Sequence, residues 1–138
     1  MMTFREIEDG DVEAIVVFWQ ACGLTRPWND PYKDISFARA GSTSTVLLGE
    51  TGGKIVASAM VGHDGHRGML YYVGVHPHHQ GRGIGKAAVK AAEAWLAARG
   101  VWKVTLLVRT DNETSRGFYE KFGYEVSPVF CMARNIGG

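Results

Sequence analysis

The sequence is poor in the features that mark secreted, membrane or nucleic-acid-binding proteins. It contains two cysteines, Cys22 and Cys131, which lie far apart and form no C-x-x-C pair. Their scarcity excludes a disulfide framework and predicts a reducing, cytoplasmic location. No apolar run approaches the roughly 20 residues that cross a bilayer, and the N-terminus is too polar for a signal peptide. The formal net charge of +1 argues against binding to nucleic acid through overall charge.

The composition is otherwise that of an ordinary globular protein, with one excess. The 138 residues, 46% of them hydrophobic and 21% charged, predict a single domain over 1–138 with a core of its own. Eighteen residues are glycine, which is about twice the average frequency. Glycine marks tight turns and places where a backbone approaches something closely, so the clustering of glycines is the first clue to function.

Hydrophobic periodicity predicts alternating strands and helices. Helical spacing between capping residues predicts helices over 11–22, from Pro31 to before Gly41, over 83–99 and over 114–122. Strand patterns predict strands over 3–7, 45–50, 54–62, 69–75 and 101–108, then from Tyr124 and over 129–134. The β-branched stretch 101–108 is expected to be a central strand. The order β-α-α-β-β-β-α-β-α-β-β predicts an α/β domain around one mixed sheet.

The densest glycine cluster is the stretch 80–86, QGRGIGK, between a predicted strand ending at Val75 and the predicted helix that begins at Gly83. A glycine-rich turn that leads into a helix presents free backbone N–H groups in front of the positive end of the helix dipole. Such an arrangement binds phosphate. Arg82 and Lys86 add positive charge beside it. The stretch therefore predicts a phosphate-binding loop.

Spacing excludes two common phosphate loops. A Walker A loop needs glycine where this sequence has Gln80 and a serine or threonine where it has Ala87. A dinucleotide fingerprint fits Gly83, Gly85 and Ala88, but it belongs after the first strand of a fold, with an acidic residue about 20 residues later. Here several predicted strands come first, and the stretch 103–107 has no carboxylate.

Two blocks of the sequence resemble the signatures of the GNAT superfamily of acetyl-CoA-dependent N-acetyltransferases, which are acyltransferases. The stretch 75–85, VHPHHQGRGIG, resembles V-x-P-x-x-[RQ]-x-x-G-x-[GA], and the stretch 112–124, NETSRGFYEKFGY, resembles N-x-x-x-x-x-[FL]-Y-x-[KR]-x-G-[FY]. The predicted order of elements is also that of the superfamily. The resemblance implies the GNAT (acyl-CoA N-acyltransferase) fold, with a mixed, mostly antiparallel sheet flanked by helices.

The resemblance also implies roles for individual residues. Tyr119 would protonate the departing thiolate of CoA as the catalytic acid. Val73 and Val75 would offer their backbone to the pantetheine arm, where one N–H of the strand would polarise the thioester carbonyl. Asn112 would contact CoA from the other side. The residues expected to hold the phosphates of CoA are Gln80, Gly81, Arg82, Gly83, Ile84, Gly85 and Lys86.

The acceptor end of the site is less well marked. Relatives that acetylate protein N-termini carry a glutamate, their general base, where this sequence has Leu107. The other candidate bases are Asp64, His66 and Tyr72. The loop residues Trp28 and Asn29 are expected to form one wall of an acceptor site over the two N-terminal helices. His66 and Tyr72 complete the candidate acceptor residues.

Several alternatives stay open at the level of sequence. The missing base also fits a CoA-binding sensor that transfers no acetyl group, and the loop alone fits a module that binds another nucleotide. We expect no metal site, because the histidines of the stretch 76–79 lie on a turn without accompanying carboxylates. Exposed terminal strands favour a homodimer. The amine acceptor, a small molecule or a protein α-amine, is not identified by the sequence.

Overall fold

The computed structural model describes residues 2–137 and contains one five-stranded sheet in the order β1-β2-β3-β4-β5. The strands are β1 Thr3–Glu6, β2 Ser44–Thr51, β3 Lys54–His63, β4 Gly68–Val75 and β5 Val104–Leu106. The helices are α1 Val12–Ala21, α2 Pro31–Arg39, α3 Ile84–Ala97 and α4 Glu113–Glu120. Neighbours from β1 to β4 are antiparallel, whereas β5 runs parallel to β4. The predicted mixed, mostly antiparallel sheet is confirmed.

Local capping explains where helix α2 begins. The Asp30 side chain accepts hydrogen bonds from the backbone N–H groups of Tyr32, at 3.0 Å, and Lys33, at 3.4 Å. Pro31 occupies the first helical position, where a missing N–H costs nothing. All four helices lie within two residues of their predicted bounds, because their ends depend on neighbours in the sequence.

The main core forms between the sheet and the two N-terminal helices. Trp19 and Ile15 of α1 are fully buried against Val46 and Leu48 of β2, together with Ile35 of α2. Helix α3 packs on β3 and β4 through buried residues at helical spacing, namely Ala88, Val89, Ala92 and Leu96. Where α3 crosses the start of β4, a Cβ atom on Gly68 would lie 2.5 Å from Leu96 Cδ1. Gly68 therefore allows helix and strand to approach closely.

The C-terminal part of the prediction is wrong in two respects. Residues 124–137 form no regular secondary structure, although strands were expected from Tyr124 and over 129–134. The predicted central strand over 101–108 is reduced to Val104–Leu106, at the edge of the sheet. Residues of high strand propensity form a strand only where their backbone pairs with a neighbouring strand. Pro128 also removes one backbone donor from the C-terminal segment.

The chain divides into two compact units, Met1–Leu106 and Leu107–Gly138. The first unit holds the whole sheet with α1, α2 and α3. The second holds α4, where Phe118, Tyr119, Phe122 and Tyr124 form an aromatic cluster with ring centroids 5.0 to 5.6 Å apart. A single domain over 1–138 stays a prediction.

Candidate active site

The glycine-rich loop connects the end of β4 to the start of α3. After Val75 the chain makes a short 3₁₀ turn at Pro77–His79 and then passes through Gly81 and Gly83, with φ of 81° and 74°. Such values strain any residue with a Cβ atom. A Cβ atom on either glycine would meet nothing within 4 Å. Their backbone conformation, and not a lack of space, therefore requires glycine.

This loop leaves a row of backbone N–H groups unused at the helix start. The first hydrogen bond of α3 runs from Ala87 N to Gly83 O, at 3.1 Å, so the amides of residues 84–86 have no acceptor within the helix. No side chain of the described residues caps them. Arg82 and Lys86 are exposed beside them. The loop has the donors, the dipole and the charge that a phosphate group requires.

Beyond its third residue, β4 has an edge without a neighbouring strand. Strand β5 pairs only with the stretch from Gly68 to Leu70, so no strand of the described residues pairs with 72–75 on that side. His76 N donates to Val56 O of β3 at 2.8 Å, so the Val75 carbonyl points the opposite way. That carbonyl accepts from Cys22 Sγ, at 3.4 Å, and from Gln80 Nε2, at 3.5 Å.

The same stretch of β4 contains a β-bulge. The register with β3 shifts between Ser58 and Met60, where β4 has one residue more than β3. Tyr72 lies in the bulge and has φ of 50°, the only positive value of a non-glycine residue in the described chain. For a bulky residue this conformation costs about 1–3 kcal/mol. It persists only because the surrounding contacts hold it.

Tyr72 is held by both its ring and its hydroxyl. The ring stacks on Trp19 with centroids 3.8 Å apart and planes 9° apart. The hydroxyl donates to Asp34 Oδ2 at 2.7 Å. Burial, and then the hydrogen bond to Asp34, raises the pKa of Tyr72 well above its usual range. Because a tyrosine of raised pKa stays protonated near neutral pH, Tyr72 is a poor candidate for the general base.

The structure does not bring His66 and Asp64 to the glycine loop. Both lie in the exposed turn before β4, where Asp64 Oδ1 accepts from the backbone N–H groups of His66, at 2.8 Å, and Arg67, at 2.7 Å. These backbone hydrogen bonds lower the pKa of Asp64. Strand β4, about 25 Å long at roughly 3.3 Å per residue, separates this turn from the loop.

The connection between α1 and α2 begins on one face of β4. A Cβ atom on Gly74 would lie 2.6 Å from Leu24 Cδ1, so Gly74 allows this connection to pack on the strand. Trp28, which is 67% exposed, and Asn29 follow on the surface just before α2. Asp34 of α2 and Tyr72 of β4 bring α2 to the same strand.

The remaining two predicted residues lie in the second unit. The Asn112 side chain caps α4 by accepting a hydrogen bond from Ser115 N at 3.1 Å, which gives this residue a structural task of its own. Tyr119 packs in the aromatic cluster, and burial raises the pKa of its hydroxyl to about 12.

The histidines near the loop form contacts with one another. His76 Nδ1 accepts from His78 N at 3.1 Å, and the His76 ring lies edge-on to those of His78 and His79. Burial, and then the charge of Arg82, lowers the pKa of His79. Among residues 2–137 there is no group of three or more histidine, cysteine or acidic side chains that could hold a metal ion. Nor does any described helix have the length and apolar character needed to cross a membrane.

Sequence reasoning missed the three residues that hold the bulge, which are Trp19, Ser58 and Asp34. Trp19 and Ser58 are typical core positions, and a tyrosine with positive φ has no signature in the sequence. Only the neighbouring motif drew attention to this strand.

Comparison with known proteins places this geometry in a family. Residues 13–124 match the family described as Acetyltransferase (GNAT) family. An acetyltransferase of Pectobacterium atrosepticum is 42% identical over 135 residues, which cover 98% of this chain and 96% of the relative.

Solved structures are similar along nearly the whole chain. A predicted acetyltransferase with acetyl-CoA from Clostridium acetobutylicum has a TM-score of 0.81 at 16% identity, covering 97% of this chain and 96% of that one. The ribosomal-protein-S18-alanine N-acetyltransferase from Escherichia coli has a TM-score of 0.78 at 26% identity, covering 92% and 80%. The fold implied by the two sequence blocks is confirmed.

Proposed function

Because the chain belongs to the acetyltransferase (GNAT) family and is an acetyl-transferring enzyme, we propose that it moves an acetyl group from acetyl-CoA to a primary amine by direct attack. The observation that carries this proposal is the row of unpaired N–H groups at the start of α3, next to the open edge of β4. Together these provide phosphate donors and a strand edge, which are the two features that CoA needs.

Each part of CoA has a counterpart among residues of the chain. The backbone of residues 80–86 binds the pyrophosphate, and Arg82 and Lys86 contribute charge at the nucleotide end. Val73 and Val75 offer the backbone of β4 to the pantetheine arm, as to an added strand. Asn112 caps α4 through its Oδ1 atom. In the proposal its amide nitrogen, which the capping bond does not use, contacts CoA as the family motif implies.

In the proposed reaction, the amine nitrogen bonds to the thioester carbon, the carbon–sulfur bond breaks, and an amide and free CoA result. The nitrogen loses a proton and the sulfur gains one. A backbone N–H of β4 donates to the thioester oxygen, where negative charge develops.

Tyr119 supplies the proton to sulfur in this proposal. Its pKa of about 12 keeps it protonated at neutral pH, as a catalytic acid requires. Because an alkyl thiol has a pKa near 8.5, complete transfer from Tyr119 alone is uphill by about 5 kcal/mol. Tyr119 therefore acts in step with the proton that the amine gives up, and not after it.

The absence of a strong base favours an acceptor of low pKa. Leu107 stands where the resemblance implies a glutamate in relatives that acetylate protein N-termini, and the raised pKa of Tyr72 removes it as a candidate base. At pH 7.5 the free-energy cost of deprotonating a lysine amine, with a pKa of about 10.4, is roughly 4 kcal/mol. For an α-amine, with a pKa of about 7.8, it is about 0.4 kcal/mol. The Escherichia coli neighbour is named for an alanine of ribosomal protein S18. We therefore favour a protein or peptide α-amine, or a small amine of similar pKa, over a lysine side chain. Trp28, Asn29 and Tyr72 line the acceptor side in this proposal.

A thiol-release assay tests the proposal. Purified protein is mixed with acetyl-CoA and a panel of α-amino peptides, lysine-bearing peptides with blocked N-termini, polyamines and amino acids, and free CoA is followed with a thiol reagent. We expect release with α-amines. Thermal stabilisation by CoA but not by NAD or ATP, with no thiol released by any amine, would instead identify a CoA sensor. Stabilisation by ATP or NAD alone would identify a module for another nucleotide.

The proposal includes a cytoplasmic homodimer. Its support is the row of exposed apolar side chains near the C-terminus, between 71% and 96% exposed, namely Val126, Val129, Phe130, Met132 and Ile136. These five exposed apolar residues lie within residues 126–136 of the sequence, and contiguous apolar patches mark interaction surfaces. Sedimentation equilibrium at micromolar concentration tests it, and a single species at the monomer mass of 15.1 kDa would rule it out. The cytoplasmic location rests on the two free cysteines, Cys22 and Cys131.

A further inference from the structure

The bulge in β4 leaves one peptide group, between Tyr72 and Val73, with a side-chain partner. The Tyr72 carbonyl accepts a hydrogen bond from Ser58 Oγ at 2.8 Å. All peptide bonds of the described residues are trans, and in a trans peptide the C=O and the following N–H point in opposite directions. The direction of the Val73 N–H is therefore set by the hydroxyl that holds the carbonyl on the other side.

Trp19 in turn fixes that hydroxyl. Trp19 Nε1 donates to Ser58 Oγ at 2.9 Å, and a serine hydroxyl has one proton to give. With an indole N–H already pointing at the oxygen, the Ser58 proton is committed to the Tyr72 carbonyl. Both Ser58 and Trp19 are 0% exposed, so water does not compete for these bonds.

The contacts of Trp19, Ser58 and Tyr72 form a closed network. The Tyr72 ring stacks on the same indole that donates to Ser58, and its hydroxyl is bonded to Asp34. The positive φ of Tyr72 is thus held from three sides by buried or half-buried groups. A regular strand would satisfy the Tyr72 carbonyl with a backbone N–H and no strain, and strain of this kind concentrates at functional sites.

We propose that Ser58 and Trp19 are positioning residues, which hold the Tyr72–Val73 peptide so that the Val73 N–H points at the thioester oxygen of acetyl-CoA. The inference rests on the proposed function. It adds that the backbone donor to the thioester oxygen is the Val73 N–H and that Ser58 and Trp19 orient it. Neither Ser58 nor Trp19 contacts the substrate. They act through the peptide, and their effect falls on the chemical step rather than on the binding of CoA.

Ser58→Ala provides the test, with Thr45→Ala as the matched control. Ser58 and Thr45 are the buried polar residues of the described chain, 0% and 4% exposed, and Thr45 lies on β2. We expect Ser58→Ala to lower kcat by about 10- to 100-fold, somewhat less than the loss of an oxyanion donor itself. The Kd for CoA, which depends on the loop, should stay within about twofold of wild type. Ser58→Cys and Ser58→Thr, which retain a donor, should recover part of kcat.

A spectroscopic measurement distinguishes the orientation of the Val73 N–H from the stability of the fold. The infrared carbonyl stretch of acetyl-CoA labelled with ¹³C at the carbonyl should shift to lower frequency on binding to wild type, and this shift should be reduced in Ser58→Ala but not in Thr45→Ala. Trp19→Phe, which keeps a ring against Tyr72 and removes the indole donor, should give an intermediate shift. If Ser58→Ala melts at lower temperature but keeps the shift and kcat per folded molecule, the inference is overturned. Wild-type protein that binds no CoA and releases no thiol would refute the proposed function itself, before any variant is compared.

Discussion

Replacing Gly83 by alanine tests whether the backbone of the loop, and not its side chains, binds the cofactor. Gly83 precedes the first turn of α3 with φ of 74°, and a Cβ atom there would meet nothing within 4 Å. The cost of Gly83→Ala is therefore conformational, at about 1–2 kcal/mol for an alanine in the left-handed region. The free loop can relax away from this strain, and binding must then restore it. The Kd for CoA should rise by up to about 5- to 30-fold.

The chain offers a matched control at the other end of the same helix. Gly100 has φ of 83° and an equally empty Cβ position, so Gly100→Ala carries a similar strain away from the loop. Gly100→Ala should lower the free energy of unfolding by up to about 1–2 kcal/mol, and Gly83→Ala by less, because its free loop relaxes and the strain returns only when CoA binds. Only Gly83→Ala should weaken CoA binding.

Calorimetric titration with CoA, compared with turnover of S-acetylpantetheine, measures the effect. The truncated thioester has no pyrophosphate, so its KM should be unchanged in Gly83→Ala. If Gly83→Ala keeps nearly wild-type stability, so that its strain falls on binding, but still binds CoA within about twofold of wild type, the loop amides do not hold the pyrophosphate. An equal loss with both thioesters would mean that the change disturbs β4 as well.

Three further predictions concern other parts of the chain. Tyr119→Phe should lower kcat by about 10- to 100-fold with little change in KM, and a kcat within about twofold of wild type would remove Tyr119 as the acid. His66→Ala should leave kcat and KM within about twofold of wild type, because residues 68–71 of β4 separate its turn from the Tyr72–Val73 peptide, where the proposal places the thioester. A larger loss would show that the acceptor reaches that turn. Asp11→Asn should cost about 1 kcal/mol of stability at pH 7, since Asp11 accepts two hydrogen bonds from Arg5 at 2.7 and 2.9 Å. The hydrogen bond from Arg5 lowers the pKa of Asp11 in the folded state, so this stabilisation is present above the ordinary value of 3.8 and is lost as the pH falls further. The difference in Tm between Asp11→Asn and wild type should therefore shrink steadily as the pH falls below about 3.8, and a difference that did not shrink there would contradict this account.

The parts of the fold that sequence predicted are those governed by neighbours along the chain. Asp30 and Pro31 define the start of α2, and Gly83 that of α3, through contacts or dihedral angles within a few residues. The C-terminal segment shows the opposite case. Its alternating apolar residues predict strands, but a strand exists only if another strand pairs with it, and the pattern contains no information about the partner. Strand β5 was also expected in the centre of the sheet. Its β-branched residues predict a strand, but they do not show whether neighbouring strands pair with it on one side or on both.

The candidate site divides along the same line. The proposed CoA end lies in one continuous stretch, so a motif of eleven residues, 75–85, was enough to predict the glycine-rich loop between β4 and α3. The β4 bulge depends on contacts between residues 39 positions apart for Trp19 and Ser58, and 38 apart for Asp34 and Tyr72. The sequence therefore predicted Tyr72 as a candidate base or acceptor contact. In the structure its hydroxyl donates to Asp34 and its pKa is raised. Long-range contacts of this kind are not visible in a sequence motif. The amine panel, and not further inspection of the motif, is what will identify the acceptor.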